Sequence, residues 1–148
     1  MARKIVPDIV QPVDVASVTA ADTALVAAKM MRDKKIAALI VVDAEHNLTG
    51  IVTERDMVFR LTAEGLDPTT TKIADIMTAN PDTLAPDDSP FDALELMQTR
   101  RYRHLPVVEG SKCIAVVSVR DLFNSVKESL EESIRETEAF VFGDRYGA

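Results

Sequence analysis

The chain of 148 residues has one cysteine, Cys113, two histidines and no tryptophan. A lone cysteine excludes an intrachain disulfide. His46 and His104 lie too far apart in sequence for a common zinc pattern. There is no Walker loop, nucleophile elbow or metal motif, so no catalytic residue is expected. No apolar run is long enough for a signal peptide or a membrane span. Bases are scarce too: 17 against 24 acids give a net charge of −7. Such a field does not hold a nucleic-acid backbone, so any bound phosphate needs a local cluster or backbone amides. The expectation is a soluble protein of a reducing compartment, the cytoplasm, with no membrane or nucleic-acid partner.

What is present is an apolar fraction of 47 % and a duplication. Residues 22–43 align on 88–109 with an offset of 66, and 50–56 on 115–121 with an offset of 65; nine of the 29 aligned positions are identical. Each half reads as a short extended piece (16–19 or 83–85), a helix, two strands joined by a tight turn, and a second helix. The helix after Ser89 carries a cap, Pro90 at its first position and Asp92 three residues past the cap. The helix over 24–33 is apolar almost throughout, and both helices end in paired bases. Runs 38–42 and 105–108 suit buried strands, with Pro106 expected at a strand start or edge. Strands 48–52 and 113–117 complete antiparallel hairpins. Alone, each unit of about 55–60 residues is marginal, so the two are expected to pack together. The divisions are 1–65 for the first unit with its lead-in, 66–127 for the second, and 128–148 for a tail.

The strand-to-helix steps Gly50-Ile51-Val52-Thr53-Glu54-Arg55-Asp56 and Ala115-Val116-Val117-Ser118-Val119-Arg120-Asp121 match. Helix grammar alone makes each a capping box. The same step also places a hydroxyl, an arginine and first-turn N–H groups where a phosphate can sit, and an aspartate that can accept ribose hydroxyls. Both uses can coexist, since a carboxylate has two oxygens.

These steps, Arg103-His104-Leu105-Pro106-Val107-Val108 and the helix starts at Asp22 and Asp88 resemble a tandem pair of CBS domains, a Bateman module, over about residues 10–126. The resemblance implies an α+β fold of two β-α-β-β-α repeats packed as a pseudo-two-fold pair, followed by a helical tail. It also implies up to two clefts for adenosine-containing ligands such as AMP, ADP, ATP, NAD or S-adenosylmethionine. Carried over by position, Thr53, Arg55 and Asp56 face Thr78, Asn80 and Asp82, with Tyr102, Arg103 and His104. Ser118, Arg120 and Asp121 face Pro12, Asp14 and Ala16, with Ile36, Ala37 and Ala38. The second cleft has Ala115 where glycine is common and no base to match Arg103. The family senses ligands and signals to a partner, commonly as a homodimer; a structural module with vestigial clefts and a nucleotide hydrolase are the alternatives.

Several segments keep bland readings. Arg100 and Arg101 suit a solvated helix end, His46 a hairpin turn, and Cys113 a small core residue. His104 is a ligand contact or an edge residue, and Tyr102 a cleft rim or a packing residue. From Asp121 to Phe142 no glycine or proline intervenes, and Phe123, Val126, Leu130 and Ile134 form a helical stripe. That tail either folds along its own disc or makes a dimer or partner contact ending in Phe140-Val141-Phe142.

Overall fold

The computed structural model describes residues 3–145, with side chains through Val141. Phe142, the last of the expected apolar cluster, therefore lies outside the described side chains.

The elements follow the duplication. Strand β1 (Ser17–Val18) leads to α1 (Ala24–Lys34), then β2 (Ala38–Val42) and β3 (Leu48–Thr53). Helix α2 (Glu54–Asp56) widens into a looser helical stretch, Met57–Thr62. Helix α3 (Ile73–Ile76) and β4 (Thr78–Ala79) connect to the second unit: α4 (Pro90–Arg100), β5 (His104–Glu109), β6 (Lys112–Ser118) and α5 (Val119–Arg145).

Local chemistry sets these bounds. The Thr23 hydroxyl accepts the Val26 N–H at 3.4 Å, starting α1. At α4 the Ser89 hydroxyl accepts the Asp92 N–H and the Asp92 carboxylate accepts the Ser89 N–H, with Pro90 at the first position. Both helices end by the same device: Lys35 and Arg101 take up the left-handed conformation, φ 56° and 61°.

The two hairpins share one register. Ala38 pairs with Thr53 and His104 with Ser118, and each ladder slips at the same place, Val41/Val42 and Val107/Val108. The extended lead-ins run parallel to the first strand of each hairpin. Val18 pairs with Val41, and its repeat counterpart Leu84 with Val107. Only the first forms a two-residue strand. There the Ile40 N–H donates to the Ala16 carbonyl at 3.2 Å, whereas the equivalent position in β5 is Pro106, which has no N–H. Pro106 is thus the third residue of β5, an edge strand of a two-stranded sheet as expected: the adjoining lead-in asks for no donor there, and the Pro106 carbonyl accepts the Leu84 N–H at 2.9 Å.

The core partition crosses residue 65. Ile73 and Ile76, past the first unit in sequence, are fully buried in the first core with Ala24, Leu39 and Val52. The Ile73 N–H donates to the Asp22 carbonyl at 2.8 Å, and β4 adds an antiparallel edge to β3. Reciprocally, Ile5 is fully buried in the second core with Leu105, Val117 and Leu122. Its N–H donates to the Asp88 carbonyl at 2.9 Å, and the Val13 N–H reaches Ile114 of β6 at 2.9 Å. Each unit therefore borrows the lead-in that precedes the other. Where the hairpin tips meet, the Ser111 hydroxyl and the Lys112 ammonium donate to the Asn47 side-chain carbonyl at 2.8 and 2.9 Å. His46 stands exposed in that turn, as expected. Cys113 is half-buried, its thiol donating to the Ala115 carbonyl at 3.2 Å, and burial pushes the thiol pKa up.

Candidate functional site

The step at the end of β3 faces a cavity of about 290 Å3, at the lower edge of the ~300–1,000 Å3 usual for small-molecule sites. Of the residues expected there, Thr53, Arg55, Asp56, Thr78, Tyr102, Arg103 and His104 line it. Asn80 and Asp82 do not. Asn80 adopts φ 46°, donates its N–H to the Thr49 carbonyl and lines a different cavity beside Ser111. Asp82 stands behind the wall, 3.7 Å from the Arg100 guanidinium and beside the Tyr102 hydroxyl. Tyr102 combines its two expected roles, packing on the second core and lining the cavity.

The cap and the site share Asp56. The Thr53 N–H donates to Asp56 Oδ2 at 2.8 Å. The other oxygen, Oδ1, meets the Arg60 guanidinium at 3.6 Å. Burial pushes the Asp56 carboxyl above the usual carboxylate range, while the Thr53 N–H and Arg60 pull it back. Arg60 also donates to the Ile76 and Met77 carbonyls at 3.2 and 2.9 Å, tying the Met57–Thr62 stretch to the end of α3 just before β4. Sequence reasoning missed Arg60, although its position four residues after Asp56 was a usable signal.

Helix-start amides contribute less than expected. The Glu54 N–H already donates to the Ala37 carbonyl, and the Val119 N–H to the Arg103 carbonyl, each at 2.9 Å. The regular part of α2 is only three residues long. Positive charge comes from side chains instead: Arg55, Arg60, Arg100, Arg101 and Arg103 all line the cavity, half of the ten arginines in the chain. Arg100 and Arg101 are exposed at the end of α4, as expected of a solvated helix end, and the left-handed turn at Arg101 also carries residues 100–104 along the cavity wall. The Arg55 guanidinium stands 5.5 Å over the Phe59 ring, a cation–π contact that holds it at the mouth.

His104 stands in the cavity wall, where a ligand contact was one of its two expected roles. Burial pushes its imidazole below the ordinary value, opposed by Glu54 and Asp121 and aided by Arg103, so the ring is neutral at neutral pH. An anion bound beside it favours the protonated ring. Affinity for an anion at this wall is therefore expected to rise as pH falls through the ordinary imidazole range, with the His104→Gln variant losing that part of the slope. A slope unchanged in the variant assigns the linkage to another group. In the ligand-free protein the sign reverses. A depressed imidazole contributes stability above its unfolded value and loses it as pH falls through the ordinary imidazole range.

Gly50 makes room for the crossing strand. A β-carbon there would stand 2.8 Å from Met77 Sδ and 3.0 Å from the Thr78 carbonyl oxygen. The flexible sulfur can move, but the carbonyl belongs to β4. Gly50→Ala is expected to destabilise by about 1–3 kcal/mol and to weaken ligand binding with it, read by thermal melting and titration calorimetry. Unchanged melting would show that β4 yields freely.

The second step has the same local form. The Ser118 N–H donates to Asp121 Oδ2 at 2.9 Å and the Asp121 N–H to the Ser118 hydroxyl at 3.1 Å, a complete capping box. Ser118, Arg120, Asp121, Ile36, Ala37 and Ala38 do not line the arginine cavity. Ala38 and His104 occupy equivalent ladder positions opposite the two caps, as Ala37 and Arg103 do among the carbonyls that anchor the two helices. The substitution of alanines for a base and an imidazole makes the two sides unequal.

The chain belongs to the CBS-domain family: the family profile matches residues 6–63 and 73–128, one domain per repeat. It is similar to the CBS domain-containing protein CBSX3, mitochondrial, of Arabidopsis thaliana, 33 % identical over 129 residues, covering 84 % of this chain and 63 % of that protein. It spans only 21 % of another relative from that plant, CBSCBSPB2. A crystallised CBS-domain protein from Burkholderia ambifaria MC40-6 superposes with a TM-score of 0.78 at 34 % identity, covering 84 % of this chain and 93 % of that one. CBSX2, crystallised in complex with AMP, shares the fold at 21 % identity, with a TM-score of 0.69 over 82 % of this chain and 94 % of its own. Among the described residues no helix is long and apolar enough to cross a membrane.

Proposed function

We propose that the protein is a non-enzymatic, cytoplasmic sensor of adenine nucleotides that signals to an effector protein as a homodimer. The observation that carries this reading is the gathering of five arginines around the Asp56 carboxylate in a chain whose net charge is −7. Asp56 Oδ1 accepts the ribose hydroxyls while Oδ2 keeps the cap. Arg55, Arg101 and Arg103 take the phosphates through charge-assisted, bidentate hydrogen bonds. Thr53, Thr78, Tyr102 and His104 complete the wall. AMP, ADP, ATP and NAD share the adenosine and phosphate groups this arrangement recognises, and the AMP complex of CBSX2 supports the class. A second, weaker site uses Ser118, Arg120 and Asp121 against the apolar surface of Ile36, Ala37 and Ala38.

A thermal-shift panel of adenosine, AMP, ADP, ATP, NAD and their 2′-deoxy forms tests the reading. Ligand at one hundred times its Kd adds about 2.7 kcal/mol of stability, so saturation with a phosphorylated ribonucleotide gives a clear shift. Absence of any shift across the panel leaves the clefts as structural remnants. Turnover of ATP with and without magnesium would instead make the protein an enzyme.

A further inference from the structure

Among the arginines of the Asp56 cavity, Arg60 differs in what holds it. Its Nη1 donates to the Ile76 carbonyl at 3.2 Å and to the Met77 carbonyl at 2.9 Å, and its Nε stands 3.6 Å from Asp56 Oδ1. A spacing of four residues sets Asp56 and Arg60 on one helical face. An exposed pair of this kind contributes little by itself, because ordering two long side chains offsets the attraction. Here the two carbonyls already fix the guanidinium, and Asp56 is nearly buried with Oδ2 held by the Thr53 N–H. Little freedom is left for the pair to lose.

The two carbonyls belong to the cavity's other wall. Ile76 is fully buried in the first core, and Met77 ends α3. The next residue, Thr78, pairs with Ile51 and lines the same cavity. One guanidinium therefore spans two walls, the Asp56 carboxylate and the segment that carries Thr78. With Oδ2 on the cap, Arg60 sets the direction in which Oδ1 faces. A carboxylate oxygen has about two lone-pair sites, so Oδ1 can accept a hydroxyl while it faces Arg60.

We propose that Arg60 is the positioning residue for ribose recognition: by tying Asp56 Oδ1 to the segment entering β4, it sets the cavity's preference for ribo- over 2′-deoxyribonucleotides. The assignment rests on the nucleotide reading of the cavity. Two effects act together. Hydrogen bonds weaken steeply as they leave linearity, so a fixed carboxylate serves the ribose better than a swinging one. Burial disfavours the ionised carboxyl, and Arg60 opposes that, with Arg55 adding less. The ionised form is the stronger acceptor. Other charges face Asp56: Glu54 and Arg55 beside it, and across the cavity the three arginines, Tyr102 and His104 of residues 100–104. These act alike on a ribo- and a deoxy-ligand, so the ratio of the two affinities isolates the 2′-hydroxyl contact.

The test is calorimetric titration of the full chain with AMP and 2′-deoxy-AMP, from neutral pH down into the carboxylate range. The native chain is expected to prefer AMP. Arg60→Gln is expected to lower that preference about threefold to tenfold, the worth of one well-made hydrogen bond. The preference is lost as pH falls and Asp56 takes up a proton. In Arg60→Gln the loss comes at higher pH than in the native chain, because no guanidinium holds the carboxyl ionised. Arg60→Lys keeps the charge and a near-native pH midpoint. Its compact ammonium cannot span Asp56 and both carbonyls, so the AMP preference stays reduced. A merely structural Arg60 would lower the melting temperature and both affinities together, leaving ratio and midpoint unmoved, and that result overturns the proposal. Should Arg60→Gln melt below the assay temperature, Arg60→Lys carries the ratio, and an undiminished AMP preference there overturns it equally. A native chain that binds both ligands equally removes the assignment alone; one that binds neither removes the nucleotide reading and the assignment with it.

Discussion

Asp56→Ala is expected to lower affinity for adenine ribonucleotides tenfold to a hundredfold while the protein stays folded. Hydrogen bonds to a charged group contribute about 1.5–3 kcal/mol each, and about 1.4 kcal/mol is tenfold in Kd. The stability cost is smaller, because two effects oppose. The variant loses the bond from the Thr53 N–H and the Arg60 pairing, worth about 0.5–2 kcal/mol for a cap. It also removes a carboxylate that burial disfavours. Asp56→Asn separates the roles more sharply, since its amide oxygen can keep the cap but its nitrogen cannot accept a ribose hydroxyl. Calorimetric titration with AMP and 2′-deoxy-AMP, beside thermal melting, reads both. Equal affinity of the native protein for the two ligands would remove the ribose role. A fall in melting temperature with affinity intact would leave Asp56 as a cap alone.

Arg103→Ala is expected to weaken ATP by a similar factor and adenosine hardly at all, with the ATP loss shrinking as salt rises. Arg103 contributes its backbone carbonyl to anchor α5, which alanine preserves, so the variant removes only the exposed guanidinium at the cavity wall. Exposed charges are screened beyond about 8 Å at physiological ionic strength, so the net −7 of the chain acts weakly on a bound phosphate. Contacts at hydrogen-bond distance decide. Arg60 and Arg100 are already engaged, by Asp56 and the Ile76 and Met77 carbonyls and by Asp82. That leaves Arg55, Arg101 and Arg103 to meet a ligand. By the same reasoning Asp121→Ala removes only the weaker of two binding events. If Asp121→Ala abolishes the tighter event, the two clefts exchange their assignments. If Arg103→Ala leaves ATP and adenosine equally affected, charge at this wall does not discriminate between them.

Much of the fold was legible because its signals are local. The caps at Thr23 and Ser89, Pro90 at a first helical position, and alternation between apolar runs and tight turns act over a few residues. Duplication doubled all of these except Pro90, whose counterpart is Ala24. The family also followed from sequence, since order and repetition of short motifs survive divergence. The site was legible in part, through the Thr53–Asp56 and Ser118–Asp121 steps, whose hydrogen bonds close within three residues.

The tertiary structure decided what depends on distant partners. Exchange of the lead-ins rests on pairing Ile5 with Asp88 and Thr78 with Ile51, and no periodicity within either segment encodes the other. Arg60, Arg100 and Arg101 join the site because a wide helical turn and a left-handed residue redirect them. Asn80 and Asp82 leave it because the chain bends away after β4. Partial burial holds the His104 imidazole below its ordinary value. The sequence thus determined which elements form, through hydrogen bonds and side-chain patterns spanning a few residues. Which charges share one cavity was set by packing two cores through each other's lead-ins, a long-range choice that residue types alone do not specify.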